Sequence, residues 1–478
     1  MAIAATAVLA VRSAVGAFHI LGTHTVVDSP FTAESIFWCV FLGLLWLAGS
    51  SVVDEPLKAT AATFPRGYLL VALAIVALAF AHNLADPFLS DDYIIVSGPP
   101  FRWSAFFAAL HRAGGDGSFR PLGTVYYQSL IAFAGARPVL WHAVGLGLHL
   151  LNCALTFVIA WQLWRDRTAS TVASLVFGLH GTRPEAALWT AGNCDLLACS
   201  CVLGAISLTL SKRSTAALLL AAVGILFKES AYALPLIAFC FLWPHSKKTL
   251  YGFFATAGAL FAWRWHLFNG PGGYVDPTSG RPAILSLHVA GVAKALLIRI
   301  WAILLFPVNW DAPLSWWLPL AIAACGVGLI WLAHANRSDS GGMRSTQLRL
   351  IAATCCAVLP AIHLALIGQS DLGSRILYLP CAMFALLIGS LAVSAGRKTT
   401  IAAGLMIAGM AGILSHNLNA WHETAASAPA ICASAKPDTR PPLTMNGVPL
   451  FQNGFRECVA LVNGTSQANR SSARPQVP

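Results

Sequence analysis

Long apolar runs separated by short polar loops make up most of the chain. The first convincing run covers residues 36–53 and the second covers residues 67–84, and similar runs recur until residue 415. As helices, runs of this length cross the ~30 Å hydrocarbon core of a bilayer. The pattern predicts an all-α polytopic membrane protein with roughly 11 to 13 transmembrane helices, and the weakly apolar N-terminus is responsible for most of that range.

Short basic clusters mark alternate loops. Lys58 and Arg66 lie between the first two runs, and later loops repeat the pattern. Because Lys and Arg are enriched in cytoplasmic loops, these loops are predicted to be cytoplasmic and the loops between them extracytoplasmic. Residues 285–306 break the alternation. We interpret them as a helix lying along the outer interface; the alternative is that one of the short helix pairs does not fully cross.

The alternation divides the chain into three parts. Residues 1–66 hold the N-terminal helix or helices and a cytoplasmic loop, and residues 67–421 form the membrane core, with its first outer loop at residues 86–122. Residues 422–478 form an extracytoplasmic tail that is expected to be disordered at its end. Cys432 and Cys458 both lie in that tail, so they are candidates for a disulfide if the tail is extracytoplasmic.

The composition agrees with this organisation. Hydrophobic residues make up 57% of the 478 residues, charged residues make up 10%, and the mean hydropathy is +0.68. These values exclude a soluble globular domain and predict an integral membrane protein in contact with the lipid bilayer. The formal net charge of +11 is spread over short clusters between helices, so it indicates membrane topology and not a nucleic-acid partner.

Polar side chains predicted on the extracytoplasmic side are the candidates for chemistry. Asp91 and Asp92 follow closely after the second apolar run. Charged groups beside lipid usually face a polar cavity or the interface. A carboxylate at such a place can act as a general base or hold a divalent metal, and Arg or Lys can bind a phosphate. The other candidates are Arg120, His149, His180, Glu185, Lys228, Glu229 and Arg375.

Each candidate alone also has a structural explanation. The acidic pair can cap a helix, and His149 with Asn152 can hydrogen-bond a neighbouring helix. Lys228 and Glu229 can form a local ion pair, and Arg375 can extend its charged end to lipid headgroups. Together the residues suit transfer from a lipid-phosphate donor, because Arg offers a bidentate fork to phosphate. They suit an anion transporter equally well.

The order of these motifs resembles the C-type (GT-C) membrane glycosyltransferases. The closest subgroup is the transmembrane and tetratricopeptide-repeat O-mannosyltransferases with their bacterial relatives. The resemblance covers roughly residues 86–421. Its motifs are Asp91-Asp92, Arg120-Pro121-Leu122, His149 with Asn152, His180 with Glu185, Lys228-Glu229, and residues 375–380, which include Tyr378.

The resemblance implies a GT-C-like bundle with juxtamembrane helices on its outer face, acting as an inverting transferase with a polyprenyl-phosphate sugar donor. The acid of the first outer loop would act as base on the acceptor hydroxyl, or would position it with Mg²⁺ or Mn²⁺; the family pattern favours Asp91 over Asp92. Glu185 is a second candidate acid. Residues expected to bind the donor or shape the pocket are Arg120, His149, His180, Lys228, Glu229, Arg375 and Tyr378.

The chain also departs from the family pattern. Gly181 stands where a proline is common, Ser374 where an acid is common, and Asn193 where an arginine is common. No tetratricopeptide array follows the core, so the acceptor stays open among a glycan, a glycolipid and a protein. The composition, rich in Ala and poor in Lys, suggests a bacterial inner membrane with the active site facing the periplasm.

Two other classes of function remain as alternatives. One is a transporter or flippase of an anionic or lipid-linked substrate, and the other is a catalytically inactive GT-C-like subunit. A transporter is expected to show paired half-repeats and interrupted helices near the middle of the membrane. The sequence has no detectable repeat, and its ionisable groups cluster at one boundary, which favours the enzyme.

Overall fold

The computed structural model describes residues 63–111, 118–242, 247–273, 293, 295–335, 341–364, 370, 372–393, 396–436 and 438–464. The predicted span at residues 36–53 and the end of the tail, residues 465–478, lie outside these ranges. The regular secondary structure of the described part is helical apart from one two-stranded hairpin, which confirms the all-α prediction.

The helices are α1 Arg66–Phe80, α2 Asp91–Val96, α3 Trp103–His111, α4 Pro121–Ala134, α5 Pro138–Trp164, α6 Arg167–Gly178, α7 Arg183–Ala187, α8 Asn193–Leu210, α9 Ser214–Phe227, α10 Leu234–Leu242, α11 Lys247–Phe268, α12 Ile300–Leu305, α13 Leu318–Ala335, α14 Gly341–Val358, α15 Tyr378–Ser390, α16 Arg397–Ala433 and α17 Phe455–Val462. Shorter segments are the 3₁₀ turns Ala81–Ala85, Thr190–Gly192, Glu229–Ala233, Leu359–Leu364 and Ser374–Leu377 and the π-helical turn Ala295–Arg299. Strand β1, Thr444–Met445, pairs antiparallel with β2, Val448–Pro449.

Six described helices are long and apolar enough to cross a membrane: Arg66–Ala85, Pro138–Trp164, Thr190–Leu210, Leu318–Ala335, Met343–Ile362 and Arg397–Ala433. Four shorter apolar helices accompany them: Ser214–Phe227, Glu229–Cys240, Leu296–Leu305 and Ser374–Ser390. The prediction of an integral membrane protein is therefore confirmed. The predicted total of about 11 to 13 spans includes helices outside the described residues and stays a prediction.

Proline and aspartate fix where several helices begin. Pro121 and Pro138 stand in the first turns of α4 and α5, where the missing proline N–H costs no hydrogen bond. Asp166 caps α6 by accepting a hydrogen bond from the Ala169 N–H at 2.9 Å. The left-handed backbone of Arg165, at φ 53°, ends α5 just before that cap, so the chain turns back within two residues.

Helices α13 and α16 pack through glycines. A Cβ built at Gly409 would lie 2.5 Å from the Ala321 carbonyl oxygen and still closer to the Cys325 backbone nitrogen. A Cβ at Gly328 would collide with the Met406 backbone in the same way. Small residues let two membrane helices approach to backbone contact, which is a main source of helix association in lipid.

We expect Gly409→Ala to destabilise the protein and Gly404→Ala not to. Gly409→Ala forces α13 away from α16 and should cost about 1–3 kcal/mol, as overpacking does. Gly404 lies on the same helix with nothing within 4 Å of its added Cβ. There the alanine should be neutral or stabilising through helix propensity. Thermal unfolding of both variants in detergent checks the pair; equal melting temperatures would contradict the close packing.

The basic loops gather at one end of the bundle. Arg167 of α6 lies over the Tyr68 ring of α1, 5.2 Å from its centroid. Gln162 near the end of α5 donates to the Ser211 hydroxyl after α8 at 2.9 Å. Residues at the helix termini of this end include Arg66, Arg165, Arg167, Lys212, Arg213 and Arg397.

The acidic first loop lies at the opposite end. There Asp92 accepts a hydrogen bond from the Ala191 N–H just before α8. The residues on both sides of segment 285–306, which breaks the loop alternation, also lie at this end. Before the segment, Arg264 pairs with Glu229. After it, Ser315 contacts His416. This agrees with a segment that does not cross, although residues 274–292 lie outside the described ranges.

A small C-terminal unit, residues 434–464, packs on the end of the bundle that holds Asp92. Helix α16 continues past the predicted boundary at residue 421, because its last turns are rich in alanine, a strong helix former. It ends at Ala433. The hairpin and α17 follow, and a disulfide joins Cys432 to Cys458. Thr424 of α16 donates to the Met445 carbonyl at 3.0 Å and holds the hairpin against the helix.

We expect Cys432 and Cys458 to resist alkylation until a reductant is added. After denaturation in SDS, a maleimide gel shift should show two additional labels on reduction. The double variant Cys432→Ser/Cys458→Ser is the control and should show the same labelling with and without reductant. Full labelling of the native sequence before reduction would contradict the disulfide.

Candidate active site

The centre of the candidate site is a tight turn, residues 189–192, which we call the site turn. Its Thr190–Gly192 part is a 3₁₀ turn leading directly into α8. The Tyr127 hydroxyl of α4 lies 3.2 Å from the Thr190 carbonyl and 3.1 Å from the Ala191 carbonyl, so α4 fastens the turn. Gly192 packs against α7, where any Cβ would meet backbone oxygens at 2.9 Å. The turn is therefore held rigidly on both sides.

The two acids of the first loop have different environments. Asp92 is 1% exposed and accepts backbone N–H groups from Ala191 at 3.1 Å and Leu89 at 3.4 Å. Burial raises its pKa, and these hydrogen bonds partly oppose the effect. Asp91 is half-buried, and its Oδ1 accepts a hydrogen bond from the Asn453 side chain at 2.8 Å. Asp92 thus anchors the loop to the site turn, while Asp91 is accessible to a reactant.

Glu185 organises the segment that carries Arg375. It is fully buried, and its carboxylate accepts N–H groups from Gly373 at 2.9 Å and Arg375 at 2.6 Å. The Ser374 hydroxyl adds a third hydrogen bond at 3.2 Å. Burial raises the pKa of Glu185, and the nearby Arg375 charge with these donors opposes the shift. A carboxylate with three such donors caps the Ser374–Leu377 turn, so it holds Arg375 in place.

The Arg375 guanidinium stacks on the site turn. Its central carbon lies 4.1 Å from the Trp189 ring centroid, a favourable cation–π geometry. Its Nη1 atom is buried and has no hydrogen-bond partner among the described residues. The indole N–H of Trp189 and the Thr190 hydroxyl are likewise buried without a partner. Unsatisfied buried donors are costly, so their concentration here indicates a place for a hydrogen-bond acceptor.

Lys228 adds a second positive charge to this region. It forms an ion pair with Asp195 in the first turn of α8. Burial lowers the pKa of Lys228, and the Asp195 carboxylate opposes that effect. Arg120 pairs with Glu229, the residue next to Lys228. Arg375 stacks on Trp189 in the turn that leads into α8, the helix that carries Asp195. The positive charges of Arg120 and Arg375 lower the pKa of Lys228 further.

Arg120 is tied to a neighbouring carboxylate. Glu229 accepts Nη2 of Arg120 at 2.8 Å on one oxygen and Nη1 of Arg264 at 2.9 Å on the other. We call the four cations Arg120, Lys228, Arg264 and Arg375 the cationic cluster. Among the residues that the structure describes, the carboxylates that face it are Asp195, Glu185 and Glu229. Positive charge is in excess within that set, so the cluster can accept an anion.

The predicted local pair of Lys228 with Glu229 is not formed. Lys228 has an extended backbone, at φ −160° and ψ 149°, and it separates α9 from the next turn. Successive side chains of an extended chain point to opposite faces. Lys228 therefore reaches Asp195 while Glu229 reaches the two arginines.

The histidines lie deeper in the bundle. His149 donates from Nε2 to the Gly178 carbonyl at 3.1 Å, so its Nδ1 accepts from the Tyr378 hydroxyl at 2.7 Å. Asn152 donates to the same hydroxyl at 3.3 Å. His149 and Tyr378 are at most 1% exposed. These closed contacts are those of helix packing, and a role in substrate binding stays a prediction.

His180 occupies a comparable position. Its Nε2 donates to the Leu304 carbonyl at 2.9 Å, and its Nδ1 accepts from the Thr182 hydroxyl at 2.8 Å. Burial lowers its pKa to about 3, and the nearby positive charge of Arg183 adds to the effect. The neutral ring joins α12 to the turn before α7; its predicted role in shaping the pocket stays a prediction.

A divalent metal at Asp91 also stays a prediction. Among the described residues there is no group of three His, Cys, Asp or Glu side chains that could hold a metal ion. The adjacent Asp92 uses its two carboxylate oxygens on backbone N–H groups, so it does not complement Asp91 as a ligand.

Sequence reasoning missed two residues at the site. Arg264 lies near the end of an apolar helix, and a charged residue in such a helix is a signal for a functional or paired role. Asn453 lies in the polar tail, and nothing in the local sequence indicates that it reaches Asp91. Asp371, in the loop before Arg375, lies outside the described residues.

The structure is that of a polytopic helical membrane protein with an accessible acid, Asp91, and the cationic cluster at one end of the helix bundle. No protein-family model matches the chain. Over 148 residues it is 28% identical to protein O-mannosyl-transferase TMTC1 of Mus musculus, an alignment covering 28% of this chain and 16% of that protein. The Homo sapiens TMTC1 is also 28% identical over 148 residues, covering 28% and 17%. Drosophila melanogaster Tmtc1 is 31% identical over 91 residues, covering 19% and 11%.

The chain thus spans less than a fifth of the length of these curated relatives. Among solved structures, ArnT from Cupriavidus metallidurans bound to undecaprenyl phosphate aligns with a TM-score of 0.41 and 12% identity, covering 84% of this chain and 89% of that one. The resemblance to the O-mannosyltransferases that the motifs predict is confirmed by the curated relatives.

Proposed function

We propose that this protein is a membrane glycosyltransferase that moves a sugar from a polyprenyl-phosphate donor to an acceptor hydroxyl. The observation that carries the proposal is the half-buried Arg375, which stacks on Trp189 and whose Nη1 has no partner among the described residues. Lys228 and Arg120 belong to the same cationic cluster. Such a group is suited to phosphate, because guanidinium donors match phosphate oxygens in pairs. The O-mannosyl-transferase names of the curated relatives support sugar transfer as the reaction.

In the proposed reaction Asp91 acts as the general base. It takes the proton of the acceptor hydroxyl as the acceptor oxygen attacks the anomeric carbon of the sugar. The bond between that carbon and the phosphate oxygen breaks, and the polyprenyl phosphate leaves with the electron pair. The cationic cluster stabilises the negative charge that develops on the phosphate. Attack opposite the leaving group inverts the anomeric configuration.

The site is proposed to face the extracytoplasmic side. Asp91, the site turn and the cationic cluster lie at the end of the bundle opposite the basic loops, and basic loops are enriched on the cytoplasmic side. In a bacterial inner membrane, this orientation would place the site at the periplasmic surface. A lipid-linked donor would keep its polyprenyl chain in the bilayer while its phosphate reaches Arg375.

The test is sugar transfer in membranes supplied with radiolabelled polyprenyl-phosphate sugars. Membranes from cells that express the chain should incorporate label into an acceptor fraction, and membranes from cells with an empty vector should not. Several donor sugars are tried in parallel, because the sequence does not identify the sugar. Equal incorporation with and without the chain, for every donor, would overturn the proposal.

A further inference from the structure

The residue before Asp91, Ser90, has an unusual backbone conformation that contacts with the C-terminal unit stabilise. Ser90 has φ 45° and ψ −119°, a region that residues with a side chain rarely adopt. Its N–H donates to the Leu450 carbonyl at 2.9 Å, and its hydroxyl accepts the Asn453 N–H at 3.3 Å. Gly454, at φ 78°, packs so tightly on the Ser90 carbonyl that a Cβ would collide with it. A strained backbone conformation persists only where surrounding contacts hold it in place. For Ser90, those contacts come from the C-terminal unit.

The same unit contacts the candidate base directly. The Asn453 carboxamide donates to Oδ1 of Asp91 at 2.8 Å. A carboxylate that acts as a general base must direct one oxygen at the acceptor hydroxyl, and this requires that the carboxylate does not rotate freely. A donor on Oδ1 fixes the carboxylate and leaves Oδ2 for the proton. Asn453 is exposed, so the contact contributes little to folding and its main effect is on Asp91.

The unit is fastened to the bundle at points remote from Asp91. The Asn309 side chain, before α13, donates to the Asn446 carbonyl at 2.8 Å in the hairpin turn. The Cys432–Cys458 disulfide joins α16 to α17, the helix that begins after Asn453. These attachments give Asn453 a fixed position relative to the site turn, which a free tail could not provide.

We propose that Asn453 is a positioning residue for Asp91, presented by the C-terminal unit, so that the tail completes the active site. The inference rests on the proposed function. It predicts that the variants change the rate of the chemical step and leave donor affinity unaltered, because Asn453 contacts the base and not the cationic cluster.

The experiment measures kcat and KM for the donor in Asn453 variants at matched expression. Asn453→Ala should lower kcat about tenfold with KM unchanged, because one hydrogen bond to a charged group is lost. Asn453→Asp has the same shape but sets a second carboxylate against Asp91, and it should lower kcat further. Asn453→His keeps an N–H donor two bonds from Cβ, at Nδ1, and should recover part of the rate. Gln452→Ala, at the exposed neighbouring position, is the matched control and should behave as the native sequence.

Equal kcat in the Ala, Asp and native proteins would overturn the proposal. A fall in kcat that Asn453→His does not relieve at all would also overturn it, since the donor would then be irrelevant. A second measurement does not depend on activity: a short bis-methanethiosulfonate reagent should cross-link the pair Asp91→Cys/Asn453→Cys, whose side chains face each other, and should not cross-link Asp91→Cys/Gln452→Cys. Absence of the cross-link would overturn the proposal. A native protein that transfers no sugar but forms the cross-link in the paired variant would place the failure in the proposed function instead.

Discussion

Replacing Asp91 by asparagine is expected to abolish sugar transfer at unchanged protein levels. The amide keeps the shape and the hydrogen-bond acceptor of the carboxylate but cannot take a proton from the acceptor hydroxyl. Loss of a general base typically costs about 10²- to 10⁴-fold in rate. Because Asp91 is half-buried with a single described side-chain partner, the substitution should leave the fold intact. Initial rates of transfer from a labelled donor in membranes measure the effect.

The matched control for this prediction is Asp438→Asn. Asp438 is exposed in the same C-terminal unit, so its substitution removes one negative charge at the same end of the protein without touching the site. Its transfer rate should equal that of the native sequence. Retained transfer in Asp91→Asn would contradict the assignment of the base and would direct attention to Asp92 and Glu185, although both are occupied by backbone N–H groups.

The pair Asp91 and Asp92 shows where sequence reasoning ends. The sequence identifies two adjacent acids at a membrane boundary, and both are equally good candidates by charge and position. Their roles separate only because the turn at Ser90 directs one side chain inward to Ala191 and the other outward to Asn453. That difference depends on contacts about 100 and more than 300 residues apart along the chain, which local patterns do not encode.

The fold was more accessible to prediction than the site. Hydropathy and basic loops determine which segments are helices and at which end each loop lies, because lipid requires backbone hydrogen bonds to close within each span. The end of α16 was less predictable: its apolar signal stops at residue 415, but its alanine-rich sequence continues the helix to Ala433. Hydropathy reports contact with lipid, whereas helix propensity decides where the helix ends outside it.

The histidine motifs illustrate a second limit. The family resemblance groups His149 and His180 with the binding residues, yet both rings satisfy their nitrogens inside the bundle. Polar residues in membrane helices can bind a ligand or join helices, and the sequence pattern is the same for both. In the structure, both nitrogens of each ring are already hydrogen-bonded within the protein. This favours a role for His149 and His180 in joining helices.

Arg375→Lys is expected to weaken binding of a polyprenyl-phosphate lipid almost as much as Arg375→Ala. Lysine keeps the positive charge, but it loses the planar stack on Trp189 and the paired donors that phosphate requires. Loss of hydrogen bonds to a charged group costs about 1.5–3 kcal/mol, which is roughly a 10- to 100-fold loss of affinity. Binding of sugar-free polyprenyl phosphate to the detergent-purified protein measures this directly, without a need for catalysis.

Two further variants separate charge from geometry at this position. Trp189→Phe keeps an aromatic face for the guanidinium and should lose less affinity than Trp189→Leu, which removes the stack. Arg456→Lys, at an exposed position of α17, is the matched control and should bind the lipid as the native protein does. Native-like affinity in Arg375→Lys would show that a diffuse positive charge is sufficient. In that case the stacked guanidinium would not be the phosphate ligand, and Lys228 with Arg120 would have to bind the phosphate instead.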